Sequence, residues 1–355
     1  MTVSQSNYSL RYLALTIHDK THISDAFPDA FRISQVYPYW RQVAHGIPRL
    51  LWSRQLRVTI HSRGSAEADG GSVVDALLKD GTFVPRAITR DPDSDASKKL
   101  KARGVEVVKG DSGDKTGLVR ALKGSEGVFA VTLPPFFQAS GHGPSELVQG
   151  TNIVDAAKEA GVRFFIWSIF KLSGGKYTNA VHYDEKAAVQ EYLAASGLIH
   201  ASLHLPGFLE SIYQNQLLKK ADSGFTMSWP VFKEADIEAW VWVSRDVPAA
   251  VLALLKNYPD PSKQINGKTY PVVTGTVSCA KLMELASNAL ECGEIPATTI
   301  PSTGVVAMDE MLKAHAEHKG LFQDTPVPNS DLVALGMKFS TLEQFMETEL
   351  KPRYT

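Results

Sequence analysis

Between Gly70 and Asp114 the chain reads as a helix opened by glycine and then two strand-like runs, an order that few architectures accept. The helical face is Gly70-Gly71-Ser72-Val73-Val74-Asp75-Ala76-Leu77-Leu78. Phe83-Val84-Pro85-Arg86-Ala87-Ile88-Thr89-Arg90 follows, then Val105-Glu106-Val107-Val108-Lys109-Gly110-Asp111. A helix start, a strand ending in Arg and a strand ending in Gly-Asp is the order of a dinucleotide-binding α/β unit. Each junction would lie where a dinucleotide's phosphates, ribose and adenine sit.

The same alternation extends in both directions. Leu56-Arg57-Val58-Thr59-Ile60-His61 alternates like a first strand. Downstream, Lys115 to Lys123 reads as a short helix, and Gly127 to Leu133 as a buried strand stopped by Pro134-Pro135. Ser145 to Ala160 is a helix closed by Gly161, Val162 to Ser168 a strand, Ala180 to Ser196 a helix ended by Gly197, and His200 to Leu205 a strand. The expected fold class is therefore α/β, a Rossmann-type doubly wound parallel sheet with helices on both faces. Beyond Pro206-Gly207 the pattern loosens into a smaller irregular lobe covering the carboxyl edge of the sheet. Short helices are expected near Val247–Leu255 and Cys279–Leu290, with a capping box at Ser340-Thr341-Leu342-Glu343 opening a last helix to Leu350. The expected domains are an atypical extension over residues 1–55, a nucleotide-binding domain over 56–205 and a substrate or partner lobe over 206–355, with the chain free to cross between the last two.

The bulk numbers remove several function classes. With 37 basic and 38 acidic residues, a net charge of −1 gives no electrostatic reason to expect direct nucleic-acid binding. No apolar run approaches the roughly 20 residues of a membrane helix. The first residues, Met1 to Asn7, lack a secretory signal. The expected compartment is the cytoplasm, with the nucleus also open to the chain. The two cysteines, Cys279 and Cys292, have the spacing of neither a redox pair nor a metal knuckle and read as reduced packing residues. No metal site is expected.

Candidate binding residues sit at the junctions. Gly64-Ser65-Ala66-Glu67-Ala68-Asp69-Gly70 stands between the first strand and first helix, where backbone N–H groups and the helix dipole approach a pyrophosphate. Gly64 and Gly70 fit that loop, whereas Glu67 puts a carboxylate and a Cβ in its middle. Arg90 suits a ribose 2′-phosphate, or is simply a solvated residue of the turn before Asp91-Pro92. Asp111 would accept from an adenine amino group or cap the helix before Lys115. Phe208, Phe225, Trp229, Trp240 and Trp242 line a pocket or form the core of the second lobe, and Asp246 reads as the cap of a helix beginning near Pro248.

From Gly70 onward, over roughly residues 70 to 350, the chain resembles the NmrA-like family of atypical short-chain dehydrogenases. The residues behind this are Gly70-Gly71-Ser72-Val73, Thr89-Arg90-Asp91-Pro92, Val107-Val108-Lys109-Gly110-Asp111, His182-Tyr183-Asp184-Glu185-Lys186 and Leu205-Pro206-Gly207-Phe208. The resemblance implies a Rossmann-type domain that binds NADP, with NAD as the other candidate, and places Thr132 and Pro134 beside the nicotinamide. Members divide between cofactor-sensing regulators and oxidoreductases, many of the latter in fungal secondary metabolism. Members also begin their first strand within a few residues of the start and keep glycine near the position of Glu67. Residues 1–69 are therefore expected to reflect an altered or misread exon.

Short-chain dehydrogenases use Tyr-x-x-x-Lys, two side chains one helical turn apart. Here His182 holds the tyrosine's place, Tyr183 lies about 100° around the helix, and Lys186 remains. The resemblance gives Lys186 the nicotinamide ribose or a base role, His182 a proton to exchange near neutral pH, and Ser168 the orientation of a substrate. Two functions follow. One is an NAD(P)H-dependent oxidoreductase for a small apolar carbonyl or enone-like metabolite. The other is a non-catalytic NADP(H)-sensing regulator that binds a protein such as a transcription factor.

Overall fold

The computed structural model describes residues 56–62, 72–137, 143–170, 176–222 and 224–355. The glycine-loop positions Gly64, Glu67 and Gly70, and the extension over residues 1–55, lie outside the described residues.

Strands and helices alternate as their periodicities require: β1 (Leu56–Ser62), α1 (Ser72–Asp80), β2 (Phe83–Thr89), α2 (Asp95–Ala102), β3 (Glu106–Lys109), α3 (Lys115–Leu122) and β4 (Gly127–Val131). Then come α4 (Glu146–Glu159), β5 (Phe164–Ile169), α5 (Val181–Ala195) and β6 (Ile199–His204). A seven-stranded sheet has the order β3-β2-β1-β4-β5-β6 followed by a strand at Lys268–Pro271, and every pairing is parallel. This is the doubly wound order, whose direction reverses between β1 and β4 and opens a crevice at the carboxyl ends.

Alternation along the strands feeds two cores. Phe129 and Val131 of β4, with Phe164 and Ile166 of β5, join Val73, Val74 and Leu77 of α1 on one face. Val128 and Ala130, with Phe165 and Trp167, join Leu118 of α3, Ile153 and Val154 of α4 and Val189 of α5 on the other.

Past β6 the chain forms β7 (Gly207–Phe208), α6 (Ser211–Gln214), β8 (Leu218–Ala221), β9 (Gly224–Pro230) and β10 (Ile237–Val241). It continues as α7 (Val243–Asn257), β11 (Lys268–Pro271), β12 (Gly275–Ser278), α8 (Cys279–Leu290), β13 (Ala297–Ile300), α9 (Val306–Glu317) and α10 (Ser330–Ala334). A last helix runs through Leu342–Phe345, a π-type turn at Met346–Leu350 and Lys351–Tyr354. Helix α7 packs on α1, and β11 is the seventh strand of the large sheet. The segment after residue 206 thus returns to the nucleotide-binding fold before completing two three-stranded sheets, β12-β10-β7 and β13-β9-β8. Trp229, Trp240 and Trp242 are core residues there, packed with Leu282, Met283 and Phe345, and Phe208 is buried in the core shared with the large sheet.

Three local expectations are corrected. Helix α7 begins at Val243, not near Pro248, and Asp246 does not cap it; the backbone N–H groups of Val243 and Ser244 donate to the buried Glu210 carboxylate instead. The capping box of the last helix is Thr341 with Gln344, because the Ser340 hydroxyl is taken by Asp246 at 2.7 Å. The cap of α3 is Asp114, since Asp111 spends Oδ1 on the N–H of Gly113 at 2.7 Å.

Candidate functional site

The carboxyl ends of β4 and β5 meet the start of α5. Helix α5 buries His182, Lys186, Val189 and Leu193, one residue per turn, and Tyr183 beside them. Its approach to α4 is close because position 150 is glycine: a Cβ there would lie 2.4 Å from a Val189 methyl. One turn before Gly150 stands Glu146, and one turn before Val189 stands Lys186, so the same contact brings these two together.

Both side chains are sealed from solvent, with Lys186 Nζ 2.6 Å from Glu146 Oε1. Lys186 also donates to the Thr132 hydroxyl at 2.9 Å and to the Thr132 carbonyl at 3.2 Å. Thr132 in turn donates its hydroxyl to Glu146 Oε1 at 2.7 Å. The three ammonium protons are thereby matched by three acceptors, with the Trp167 and Phe170 rings 5.4 and 5.7 Å away. The ammonium that the resemblance assigns to a ribose is paired inside the protein here, where it ties α4, α5 and the end of β4 together. The Thr132 hydroxyl is committed to the same cluster.

His182 is placed differently. It is buried, its ring is edge-on to Phe136 at 5.6 Å and to Tyr183 at 4.9 Å, and neither ring nitrogen has a hydrogen-bond partner. Burial foremost, then the positive charge of Lys186 and the nearby His315, push its pKa down to about 3. The expectation that His182 exchanges a proton near neutral pH is therefore corrected. At that pH it is a neutral imidazole with one N–H to donate and one nitrogen to accept. Ser168, at the end of β5, is fully buried and its hydroxyl is also without a partner. Unpaired buried polar atoms are costly, so those at one sheet edge are a signature of a site built for a guest.

The other predicted residues sit along the same edge. Arg90 follows β2 and is exposed. Asp111 lies two residues past β3 and is half-buried.

Two groups escaped the sequence. Glu146, in the first turn of α4, carries no motif that marks it in the sequence. Tyr183, His315 and Glu238 come from three distant stretches, yet Tyr183 Oη lies 2.6 Å from His315 Nε2 and His315 Nδ1 2.7 Å from Glu238 Oε2. All three are buried.

A sheet of this order, with its unpaired polar atoms at the carboxyl edge, meets a family model, the NmrA-like family, matching residues 58–346. The chain belongs to the NmrA-like family. Among its relatives is an NmrA-like family domain-containing oxidoreductase, notA, from Aspergillus sp. (strain MF297-2), 33% identical over 267 residues, 70% of this chain and 76% of that one. Another, the lnbB oxidoreductase of Aspergillus flavus, is 28% identical over 65% of this chain and 72% of its own. Solved structures share the fold. The negative transcriptional regulator NmrA in complex with NADP superposes at TM-score 0.63 and 17% identity, covering 85% of this chain and 97% of its own. The NADPH-dependent quinone oxidoreductase QOR2 of Escherichia coli, complexed with NADPH, gives 0.60 at 20% identity, covering 82% and 98%. Among the described residues of this NmrA-like protein no cluster of side chains could hold a metal ion, and no helix is long and apolar enough to cross a membrane.

Proposed function

We propose that this NmrA-like protein is an NADP(H)-dependent oxidoreductase acting on a small, apolar carbonyl or enone-like metabolite of the kind handled in fungal secondary metabolism. The observation that carries the reading is that the buried imidazole of His182, at the start of α5, and the buried Ser168 hydroxyl, at the end of β5, are both without partners, toward the sheet edge where a nicotinamide would end. The named activity of the Aspergillus relatives and the NADPH held by QOR2 support it.

The residues at the strand ends suit the nucleotide, with Glu67 as the one position that opposes it. Gly64 and Gly70 suit the pyrophosphate, Arg90 the 2′-phosphate, Asp111 the adenine and the end of β4 at Thr132 the nicotinamide. NADP is favoured over NAD by Arg90, and NAD remains the second candidate. When bound, the cofactor supplies hydride to the substrate carbon. The protein's own part is to hold the carbonyl oxygen on the His182 N–H and the Ser168 hydroxyl, and to keep water out with Phe136, Phe170 and Tyr183. Lys186 holds this frame from beneath.

A second reading is a non-catalytic NADP(H) sensor that binds a protein partner. The commitment of Lys186 to Glu146 and Thr132 favours it, as does the regulator NmrA among the similar folds. Titration of the purified chain with NADPH and NADH, read by nicotinamide fluorescence, is expected to show binding with NADPH ahead. Oxidation of bound NADPH by small enones and aldehydes is then expected. Tight binding with no turnover across such a panel would leave the sensor, and no binding by either nucleotide would dispose of both.

A further inference from the structure

The proton that accompanies a hydride has no obvious source among the expected residues, since His182 is held neutral and Lys186 is enclosed. We propose that Tyr183 is the proton-exchanging group of this site, and that His315 and Glu238 are the positioning residues that let it work. This rests on the oxidoreductase reading above and adds to it the source of the proton.

The geometry is that of a carboxylate, an imidazole and a hydroxyl in series. Glu238 Oε2 faces His315 Nδ1 at 2.7 Å, which fixes a proton on that nitrogen, and His315 Nε2 faces Tyr183 Oη at 2.6 Å. Glu238 is itself held, its Oε1 accepting from the N–H of Ala239 at 2.8 Å. Such a series makes a hydroxyl give up and recover a proton in hydrolases on unrelated folds. Burial foremost, then the charge of Glu238, push the Tyr183 phenol well above its ordinary range, so it is protonated at neutral pH and its phenolate can form only with a donor such as His315 Nε2–H facing it. The Tyr183 ring packs edge-on against His182 at 4.9 Å and against Phe170 at 5.5 Å, so the residue that carries the phenol borders the unpartnered imidazole.

Helix α9 supplies His315 and two further ties to the start of α5. Glu310 accepts from the Asn179 N–H and from its side-chain amide, each at 2.6 Å, and Glu317 accepts from the Tyr177 hydroxyl at 2.6 Å. The second lobe thus grips the turn that carries His182 and Tyr183.

The step balances as follows. The step requires His315 to present an N–H at Nε2 to the phenol oxygen, which frees the Tyr183 proton to point at the substrate. Where a bound nicotinamide would supply hydride to the substrate carbon, the C=O π pair would move onto oxygen and the Tyr183 O–H would break as the new O–H forms. The phenolate would recover a proton from His315 Nε2, and the proton consumed overall is drawn from water. Oxidation runs the same path backwards.

The test compares the full chain with Tyr183→Phe, His315→Leu and His315→Gln, assayed with NADPH and cyclohex-2-enone or small aldehydes. Tyr183→Phe is expected to lower kcat by about 100-fold or more, with NADPH affinity near that of the unmodified chain and Tm lowered, because His315 Nε2 loses its buried partner. His315→Leu should lower kcat with little change in KM. His315→Gln, which keeps an acceptor for Tyr183 and a donor for Glu238, should recover much of it. Without added nucleotide, the His315 Nδ1 proton is expected far downfield in the proton NMR spectrum and shifted in Tyr183→Phe. A Tyr183→Phe variant within twofold of the unmodified kcat, or with that resonance unmoved, overturns the proposal and leaves the oxidoreductase reading standing. Binding of NADPH without turnover by the unmodified chain overturns both.

Discussion

An ammonium and a carboxylate sealed from water lose several kcal/mol of hydration each, and only close, fully bonded geometry recovers it. Lys186 meets that condition with three acceptors, and Glu146 meets it at Oε1 alone, through Lys186 and Thr132, while its buried Oε2 has no partner. Removing one partner should therefore cost far more than removing both. Lys186→Met is expected to destabilise the protein by roughly 3–5 kcal/mol, because Glu146 is left buried without its cation. Adding Glu146→Gln should return much of that loss, since a neutral amide needs no counter-charge. Urea unfolding of the single and double variants measures both. A double variant no more stable than Lys186→Met would mean that the pair contributes packing rather than charge balance. Lys186 was legible in sequence through its spacing from His182; Glu146 was not, because its pairing depends on where α4 crosses α5.

At the scale of elements, what the sequence reveals depends on how local the cause is. The strands and helices from β1 to β6 follow from periods of two and of 3.6, and glycines mark helix ends where expected, as at Gly161 and Gly197, both with positive φ. Two caps were misassigned because a polar side chain had a distant partner, and a third because Asp111 bonds locally to Gly113. Asp246 looks like a cap, yet Oδ2 accepts from the Thr274 hydroxyl at 2.5 Å, and Oδ1 from the Ser340 hydroxyl at 2.7 Å and its N–H at 3.0 Å. Those partners lie 28 and 94 residues away. One carboxylate therefore fixes α7 to the approach to β12 and to the start of the last helix. Asp246→Ala would leave three buried donors without an acceptor, at a cost of about 1–3 kcal/mol for each group left unpaired. A loss of at least 3 kcal/mol in chemical denaturation is expected. A loss under 1 kcal/mol would mean that water or a shifted backbone replaces the carboxylate. The Tyr183–His315–Glu238 series was invisible for the same reason: its bonds span 132 and 77 residues.

For the molecule as a whole, two buried groups pull stability in opposite directions as pH changes. Burial pushes the Glu210 carboxyl from 4.5 up to about 7, against the N–H groups of Ser244 and Val243 that favour its charge. The folded state then binds a proton that the unfolded chain has released, so stability falls as pH rises from about 4.5 to about 7. At about 1.4 kcal/mol per pH unit, that is roughly 3 kcal/mol. His182 behaves oppositely, its pKa lowered by burial and neighbouring charge from 6.5 to about 3. The unfolded chain binds the extra proton, so this contribution is complete above 6.5 and is lost as pH falls towards 3. Between 4.5 and 6.5 the two slopes cancel, and removing either group should expose the other. The difference profile, variant minus unmodified chain, isolates each one because all other titrating groups drop out. For Glu210→Gln that difference should rise with pH across 4.5 to 7; for His182→Gln it should fall with pH across 3 to 6.5. Denaturant titrations at half-unit pH intervals measure both. A flat Glu210→Gln difference would mean that the carboxyl ionises normally beneath α7, with the helix dipole and two N–H bonds outweighing its burial.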